Sequence, residues 1–238
     1  MRSPASGGRA EHRISVVLPV FDRERYVGDA VRSVLGQSRP ADELVVIDDG
    51  STDGSMDVVR AFASPKIRIL AQPNGGIGSA RNLGVAAAAG ELVAFLDSDD
   101  IWEPEKLAVQ ERALEANGVP LVFGHLVEFL SPDRREQLAG IFELADQPTP
   151  GLCASTLLAR REALERIGPF DTTFRVGEFI DWLARAADLG MRHVVVPETV
   201  ARRRVHGDNS VLTRGHSDYL RVLKRAIDRR RGGTAHGS

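Results

Sequence analysis

Four times within the first hundred residues of this 238-residue chain, a short apolar run rich in β-branched residues ends in a polar, turn-forming cluster. Ile14–Leu18 runs into Pro19-Val20-Phe21-Asp22, after which Val27, Ala30, Val31, Val34 and Leu35 recur at helical spacing. Leu44–Ile47 runs into Asp48-Asp49-Gly50-Ser51-Thr52-Asp53, and Met56, Val59, Arg60 and Ala63 follow as an amphipathic helix. Ile67–Leu70 opens a third unit, whose Asn74-Gly75-Gly76-Ile77-Gly78 loop precedes an alanine-rich helix reaching about Ala89, with Gly90 as its C-cap. Leu92–Leu96 then delivers Asp97-Ser98-Asp99-Asp100 directly at its carboxyl end. Such alternation predicts a mainly parallel sheet flanked by helices, with ligands bound beyond the carboxyl ends of the strands. Every polar cluster falls on that edge.

The second half is less regular. A helix is expected over Pro104–Asn117, extended chain over Leu121–Leu130, a polar loop over Ser131–Pro150 and a strand near Ala154–Leu158. Glu178–Leu189 has helical spacing, Arg192–Val196 and Val200–Val205 read as extended, and Leu220, Leu223 and Ile227 suggest a helix in a basic tail. Gly232–Ser238 is expected to be disordered. A net charge of −2 gives no broad field for nucleic acid, so anions must be handled locally. Cys153 is the single cysteine and reads as a small apolar core position, which fits a reducing cytoplasm. No apolar run approaches the roughly 20 residues of a membrane span, and Met1–Arg13 lacks the apolar stretch of a signal peptide. The expected protein is cytoplasmic; peripheral membrane contact through the tail and a weak homodimer stay open.

Asp97 and Asp99 stand two residues apart just past a strand, so in extended chain their carboxylates project to one side and can meet one cation. A hard divalent cation held there would reverse the local field and let a diphosphate approach. Asp99 is the preferred direct ligand, with Asp97 supporting it or contacting a ribose. Asp49 could accept from a base N–H or a ribose hydroxyl, whereas Ser51, Thr52 and Asp53 suit helix capping. The glycine loop opening the third helix could receive an anion on its free N–H groups. It lacks the lysine of a P-loop and the spacing of a dinucleotide-binding turn. Arg81 and Asn82 either contact that ligand or brace the loop.

Taken in order, Pro19-Val20-Phe21-Asp22, Asp48-Asp49-Gly50-Ser51, Gly78-Ser79-Ala80-Arg81-Asn82 and Leu96-Asp97-Ser98-Asp99-Asp100 resemble the family 2 inverting glycosyltransferases of the A-type (GT-A) fold. The resemblance runs over Ile14–Leu107 and, with weaker motifs, Gly168–Ser210. It implies a Rossmann-like α/β domain with an irregular, acceptor-facing second half: a tail at 1–12, a nucleotide-sugar half at 13–118, an acceptor half at 119–213 and a helical end at 214–238. It also implies a nucleotide-diphosphate sugar donor, a UDP-sugar foremost, a Mg²⁺ or Mn²⁺ cofactor, and an acceptor that could be a saccharide, a lipid carrier, a peptide or a small metabolite. By position, Pro19, Phe21 and Asp22 would line the nucleobase pocket, Asp49 would bind the base and Asp99 the metal. Gly78, Arg81, Asn82, Asp97 and Ser98 would complete the donor site, and His206 of Val205-His206-Gly207-Asp208-Asn209-Ser210 would approach the metal.

Family members place a Glu-Asp pair at the start of a late helix, the aspartate acting as base. Here the matching stretch is Gly177-Glu178-Phe179-Ile180-Asp181-Trp182, with Phe179 at the base position. Glu178 and Asp181 lie three apart and would share a helix face, so either could take the proton, Glu178 being preferred. Two other readings remain: a sugar-nucleotide binding module without catalysis, which Phe179 encourages, and a nucleotidyltransferase, which should carry a basic glycine-rich loop after the first strand where this chain has Pro19-Val20-Phe21-Asp22.

Overall fold

Strand β1 (Ile14–Val20) is buried along its whole length because it lies between two parallel neighbours and is covered on both faces. Those neighbours are β2 (Glu43–Asp48) and β4 (Leu92–Phe95), and β3 (Ile67–Ala71) extends the parallel ladder beyond β2. Successive side chains of β1 serve different layers, as the two-residue period of a strand requires. Val16, Leu18 and Val20 pack with Val27, Ala30, Val31 and Val34 of α1 (Val27–Leu35) and with Met56 and Val59 of α2 (Ser55–Arg60). Val17 turns to the opposite face, which α3 (Ile77–Ala87) covers. In this computed structural model, residues 12–138, 144, 147–207, 221 and 224–225 are described. The expected tail disorder, the motif residues Asp208–Ser210, and Leu220, Leu223 and Ile227 of the basic tail fall outside them.

Past β4 the chain forms β5 (Ile101–Trp102), α4 (Lys106–Asn117), β6 (Leu121–Leu130) and a 3₁₀ turn leading into α5 (Arg135–Leu138). It continues through β7 (Thr149–Gly151), a 3₁₀ turn at Ala154–Thr156, β8 (Leu158–Arg160), α6 (Arg161–Ile167), α7 (Glu178–Asp188) and β9 (His193–Val205). One sheet runs through both halves in the order β3-β2-β1-β4-β8-β6-β9-β5, with β7 added to β6. The parallel half is the one expected. Beyond β4 the ladders mix, because β8 is antiparallel to both β4 and β6 while β6 and β9 are parallel. No helix among the described residues is long and apolar enough to cross a membrane.

Several expectations need correction. Helix α3 ends at Ala87, with Ala88 already extended, so Gly90 is not its C-cap. Gly90 instead lies against β1: a Cβ there would stand 2.6 Å from the Arg13 carbonyl oxygen and the Ser15 nitrogen. The expected strand at Ala154–Leu158 begins as the 3₁₀ turn, closed by the Thr156 N–H donating to the Cys153 carbonyl at 3.2 Å and the Leu157 N–H to the Ala154 carbonyl at 3.0 Å, with the Thr156 hydroxyl donating to the Gly151 carbonyl. Extended Arg192–Val196 and Val200–Val205 are one strand, interrupted at Pro197-Glu198 by a bulge where the register to β6 shifts. Proline has no N–H for a ladder, which explains both the break in the pattern and the bulge. Helix α6 and strand β5 were not anticipated.

Candidate active site

The carboxyl ends of β1, β2 and β4 share one edge of the sheet, and α7 and the end of β9 close over it. Between them lies a cleft of about 750 Å³. Pro19, Phe21, Asp49, Arg81, Asp97, Ser98, Asp99 and Glu178 are on its wall, as are Arg23, Asp100, Glu128, Arg175 and Arg203. Phe21, Leu152 and Ile180, three of the four exposed large apolar side chains among the described residues, also lie there. The fourth, Leu189, does not. Asp22, Gly78, Asn82, Asp181 and His206 stand outside that wall, each for a visible reason.

Asp22 stitches the loop after β1 to the loop after β2. Its Oδ1 accepts from the Thr52 N–H at 2.7 Å, and its own N–H donates to Ser51 Oγ at 3.3 Å. Its φ of 49° is one that aspartate tolerates better than most residues. Asp53 caps the segment into α2, accepting from the N–H groups of Glu24 (3.0 Å) and Ser55 (2.9 Å). Asp49 is 3% exposed, and its carboxylate is turned onto the glycine loop. It accepts from the N–H groups of Gly75 and Gly76, both at 2.9 Å, and from Gln72 Nε2 at 2.6 Å. The anion expected on those loop amides is therefore the protein's own. Asn82 braces, exchanging two 2.8 Å hydrogen bonds with the backbone of Phe170. Gly78, buried on α3, faces Phe170, Asp171 and Glu178 at distances that a Cβ would bring to 3.5–3.6 Å.

Arg81 joins the two halves of the site. It is 2% exposed; Nη2 donates to Asp97 Oδ1 at 2.6 Å and Nη1 to Glu178 Oε1. Burial opposes its charge, but the carboxylates of Asp97 and Glu178 outweigh that and push its pKa up. The guanidinium lies 5.7 Å from the Phe170 ring centroid, so the plane of the fork is fixed by packing as well as by charge. Glu178 also lines the cleft. Asp181 instead accepts from Arg185 Nε at 2.9 Å and is 2% exposed, which is the ordinary i,i+4 pairing of a helix. Phe179, at the family's base position, is a core residue, with the rings of Trp182, Phe170 and Phe123 at 5.6, 6.3 and 6.4 Å.

Asp99 Oδ2 lies 3.0 Å from His206 Nε2 and 3.6 Å from Arg23 Nε. Burial works against its charge, yet the His206 hydrogen bond and the Arg23 guanidinium hold its carboxyl below the usual range. Asp100 is the opposite case. Burial first, then the charges of Asp99 and Asp97, push its pKa well above the ordinary value. Its Oδ2 accepts from Ser155 Oγ at 2.7 Å and its Oδ1 from the Arg204 N–H at 3.1 Å. Ser155 Oγ also takes the Asp97 N–H at 3.2 Å. Nothing in the sequence marked Ser155, because only the fold brings it under the acidic turn. The three arginines of β9 do follow their alternation. Arg202 and Arg204 both stack over Phe129 at 4.8 Å, while Arg203 turns to the cleft beside Glu128.

No group of three or more His, Cys, Asp or Glu side chains converges for a metal among the described residues. Asp99 offers a carboxylate oxygen and His206 a ring nitrogen 3.0 Å away, a pair whose chemistry would suit a divalent cation that accepts mixed oxygen and nitrogen donors. Cys153 lies on the cleft wall, half-buried, and burial pushes its thiol pKa up, away from nucleophilic use.

Comparison with known proteins places this geometry. Residues 15–168 match the sequence profile described as glycosyl transferase family 2. An uncharacterized glycosyltransferase of Nostoc sp. is 35% identical over an alignment of 214 positions that covers 83% of this chain and 66% of that protein. Glycosyltransferase GlyG of Streptococcus pneumoniae is 32% identical over 123 residues, 50% of this chain and 41% of that protein. The structure of S. aureus TarS 1-349 in complex with UDP-GlcNAc superposes with a TM-score of 0.73 at 19% identity, covering 90% of this chain and 65% of that one. The chain thus spans at most about two thirds of the relatives compared, and the likeness to TarS is one of fold. A GT-A sheet with its acidic turn at the carboxyl edge, carried by a sequence that matches the family profile over most of its length, makes this chain a member of glycosyl transferase family 2.

Proposed function

We propose that this chain transfers a sugar from a nucleotide diphosphate, with UDP-sugars first among donors, to an acceptor hydroxyl with inversion at the anomeric carbon. The observation that carries this reading is Arg81, whose guanidinium holds Asp97 of the acidic turn and Glu178 of α7 on one wall of the cleft. Donor-side acid and candidate base are thereby fixed relative to each other before any ligand arrives. The TarS structures in complex with UDP and with UDP-GlcNAc support the choice of nucleotide.

Asp99 and His206 would hold a divalent cation, Mn²⁺ or Mg²⁺, which would supply charge compensation for the leaving diphosphate. The chain's own residues do the rest. Phe21, about two-fifths exposed, offers an apolar face to a nucleobase. Glu178 accepts the proton of the acceptor hydroxyl as that oxygen bonds to the anomeric carbon. The bond from that carbon to the diphosphate oxygen breaks, and the electron pair leaves with the nucleoside diphosphate. Arg81 keeps Asp97 as a partner while Glu178 is protonated, so no buried cation is left unpaired.

Thermal-shift titration with UDP, UDP-GlcNAc and other nucleotide sugars, each with and without Mn²⁺, tests the donor site, since ligands of the folded state raise its melting temperature. A metal-dependent rise for one nucleotide class, lost in Asp99→Asn, is expected. A folded sample that responds to none of them would remove the donor-site reading.

A further inference from the structure

The acidic turn contains a third carboxylate, Asp100, to which the reaction above gives no part. It is 5% exposed and ties together three segments distant in sequence. Its Oδ2 takes the Ser155 hydroxyl of the 3₁₀ turn and its Oδ1 takes the Arg204 N–H of β9. Ser155, 1% exposed, is itself anchored, since its carbonyl accepts from Trp102 Nε1 at 2.7 Å. Arg204 then reaches back, donating from Nε to the Asp99 carbonyl at 3.0 Å and from Nη2 to Asp29 at 2.8 Å.

The Arg204–Asp100 contact adds a second tie at the end of β9, beside its ladder with β6. The strand's pairing with β5 stops at Arg202, its ladder with β6 ends at Val205, and His206 lies beyond both. A strand that slips by one residue turns every side chain to the other face. The ladder with β6 sets the alternation of β9 as far as Val205; the backbone bond from Arg204 to Asp100 ties that end to the acidic turn, and His206, two residues on, falls on the side of Asp99. Tyr26 completes the wedge, its ring 4.9 Å from both the His206 ring and the Arg204 guanidinium.

We propose that Asp100, seated on Ser155, is a positioning residue that ties the end of β9 to the acidic turn and so presents Asp99 and His206 together to a divalent cation. This rests on the donor-site reading above, and the experiment separates the two. Mn²⁺ affinity of the full chain is measured in the presence of UDP. Asp100→Ala should weaken it roughly 10- to 100-fold, the range seen when a partner of a metal ligand is lost. Asp100→Asn keeps an accepting oxygen for Arg204 and a polar partner for Ser155, so it should stay close to the unmodified chain. If Asp100→Asn fell as far as Asp99→Asn, Asp100 would be a ligand and the proposal would be overturned.

The second readout needs no ligand. The ¹⁵N shifts of the His206 imidazole at fixed pH, assigned by their loss in His206→Gln, report its contact with Asp99. They should move in Asp100→Ala and Ser155→Ala but not in Asp100→Asn. An unmoved ring in folded Asp100→Ala overturns the positioning role whatever the chain binds. A moved ring in a chain that binds neither UDP nor Mn²⁺ overturns the donor-site reading alone. Should both alanine variants fail to fold, the comparison of Asp100→Asn with Asp99→Asn still decides.

Discussion

Arg81 and its two carboxylates illustrate how a buried ion pair is judged by what its loss leaves behind. Glu178 is 5% exposed, so Arg81→Ala would strand a charge with little access to water. Breaking such a pair from one side is costly, and we expect a loss of about 3–5 kcal/mol in urea unfolding. A loss below ~1 kcal/mol would mean that the carboxylates find water or other partners. Glu178 and Asp181 separate by function rather than by stability. Glu178→Gln should lower turnover by about 10²–10⁴, the usual contribution of a positioned base, with the donor KM little changed. Asp181→Asn should lower the unfolding midpoint and spare turnover, because its partner is Arg185 and it is not on the cleft wall. Nucleoside diphosphate release measures both, and the reverse ranking would move the base to Asp181.

At the level of helices and strands, α7 shows why a motif cannot be repaired by substitution alone. Phe179 sits where family members carry an aspartate, yet its ring is packed among Phe123, Phe170 and Trp182. Phe179→Asp should destabilise by at least the ~3–5 kcal/mol of an emptied aromatic site, with a further penalty for burying charge, and should not raise turnover. Thermal unfolding beside the transfer assay checks this. The same helix marks the limit of what spacing can disclose. Four-residue spacing discloses the Asp181–Arg185 pair within α7, but the contact of Glu178 with Arg81 depends on how α3 packs against the start of α7. The four β-α units were legible because strand period, turn chemistry and helix period all agree there. In the second half, short ladders and a bulge at Pro197-Glu198 blurred the period. Asp22, read as a donor-pocket residue, links two loops, and Asn82, read as a ligand or a brace, holds the backbone of Phe170. Ser155 had no local signal at all.

For the molecule as a whole, one buried lysine contributes a pH response. Lys106 is 1% exposed within α4, its Nζ bonded to Gln110 Oε1 and 3.3 Å from the Leu157 carbonyl, with the Trp102 ring centroid at 4.3 Å. Gln110 in turn donates to the carbonyls of Val122 and Thr156, so this node joins α4, β6 and the 3₁₀ turn that carries Ser155. Burial holds the Lys106 pKa well below the lysine range. Between that lowered value and the ordinary one, the unfolded chain binds a proton that the folded chain does not, so stability rises with pH there and levels off above it. Lys106→Met should flatten that rise, as read from melting temperatures across alkaline pH. An unchanged slope would assign it to other groups.

The contacts that make the site also date it within the life of each molecule. Arg81 and Glu178 lie 97 residues apart, and Asp99 and His206 lie 107 apart. At roughly 5–20 residues per second of synthesis, the acidic turn is made about 5–20 s before its partners on α7 and β9. The chain made by that interval contains Asp97 and Asp99 but neither Glu178 nor His206. On the proposed reading such a chain lacks both the candidate base on α7 and the histidine after β9, so transfer would wait until both have been made.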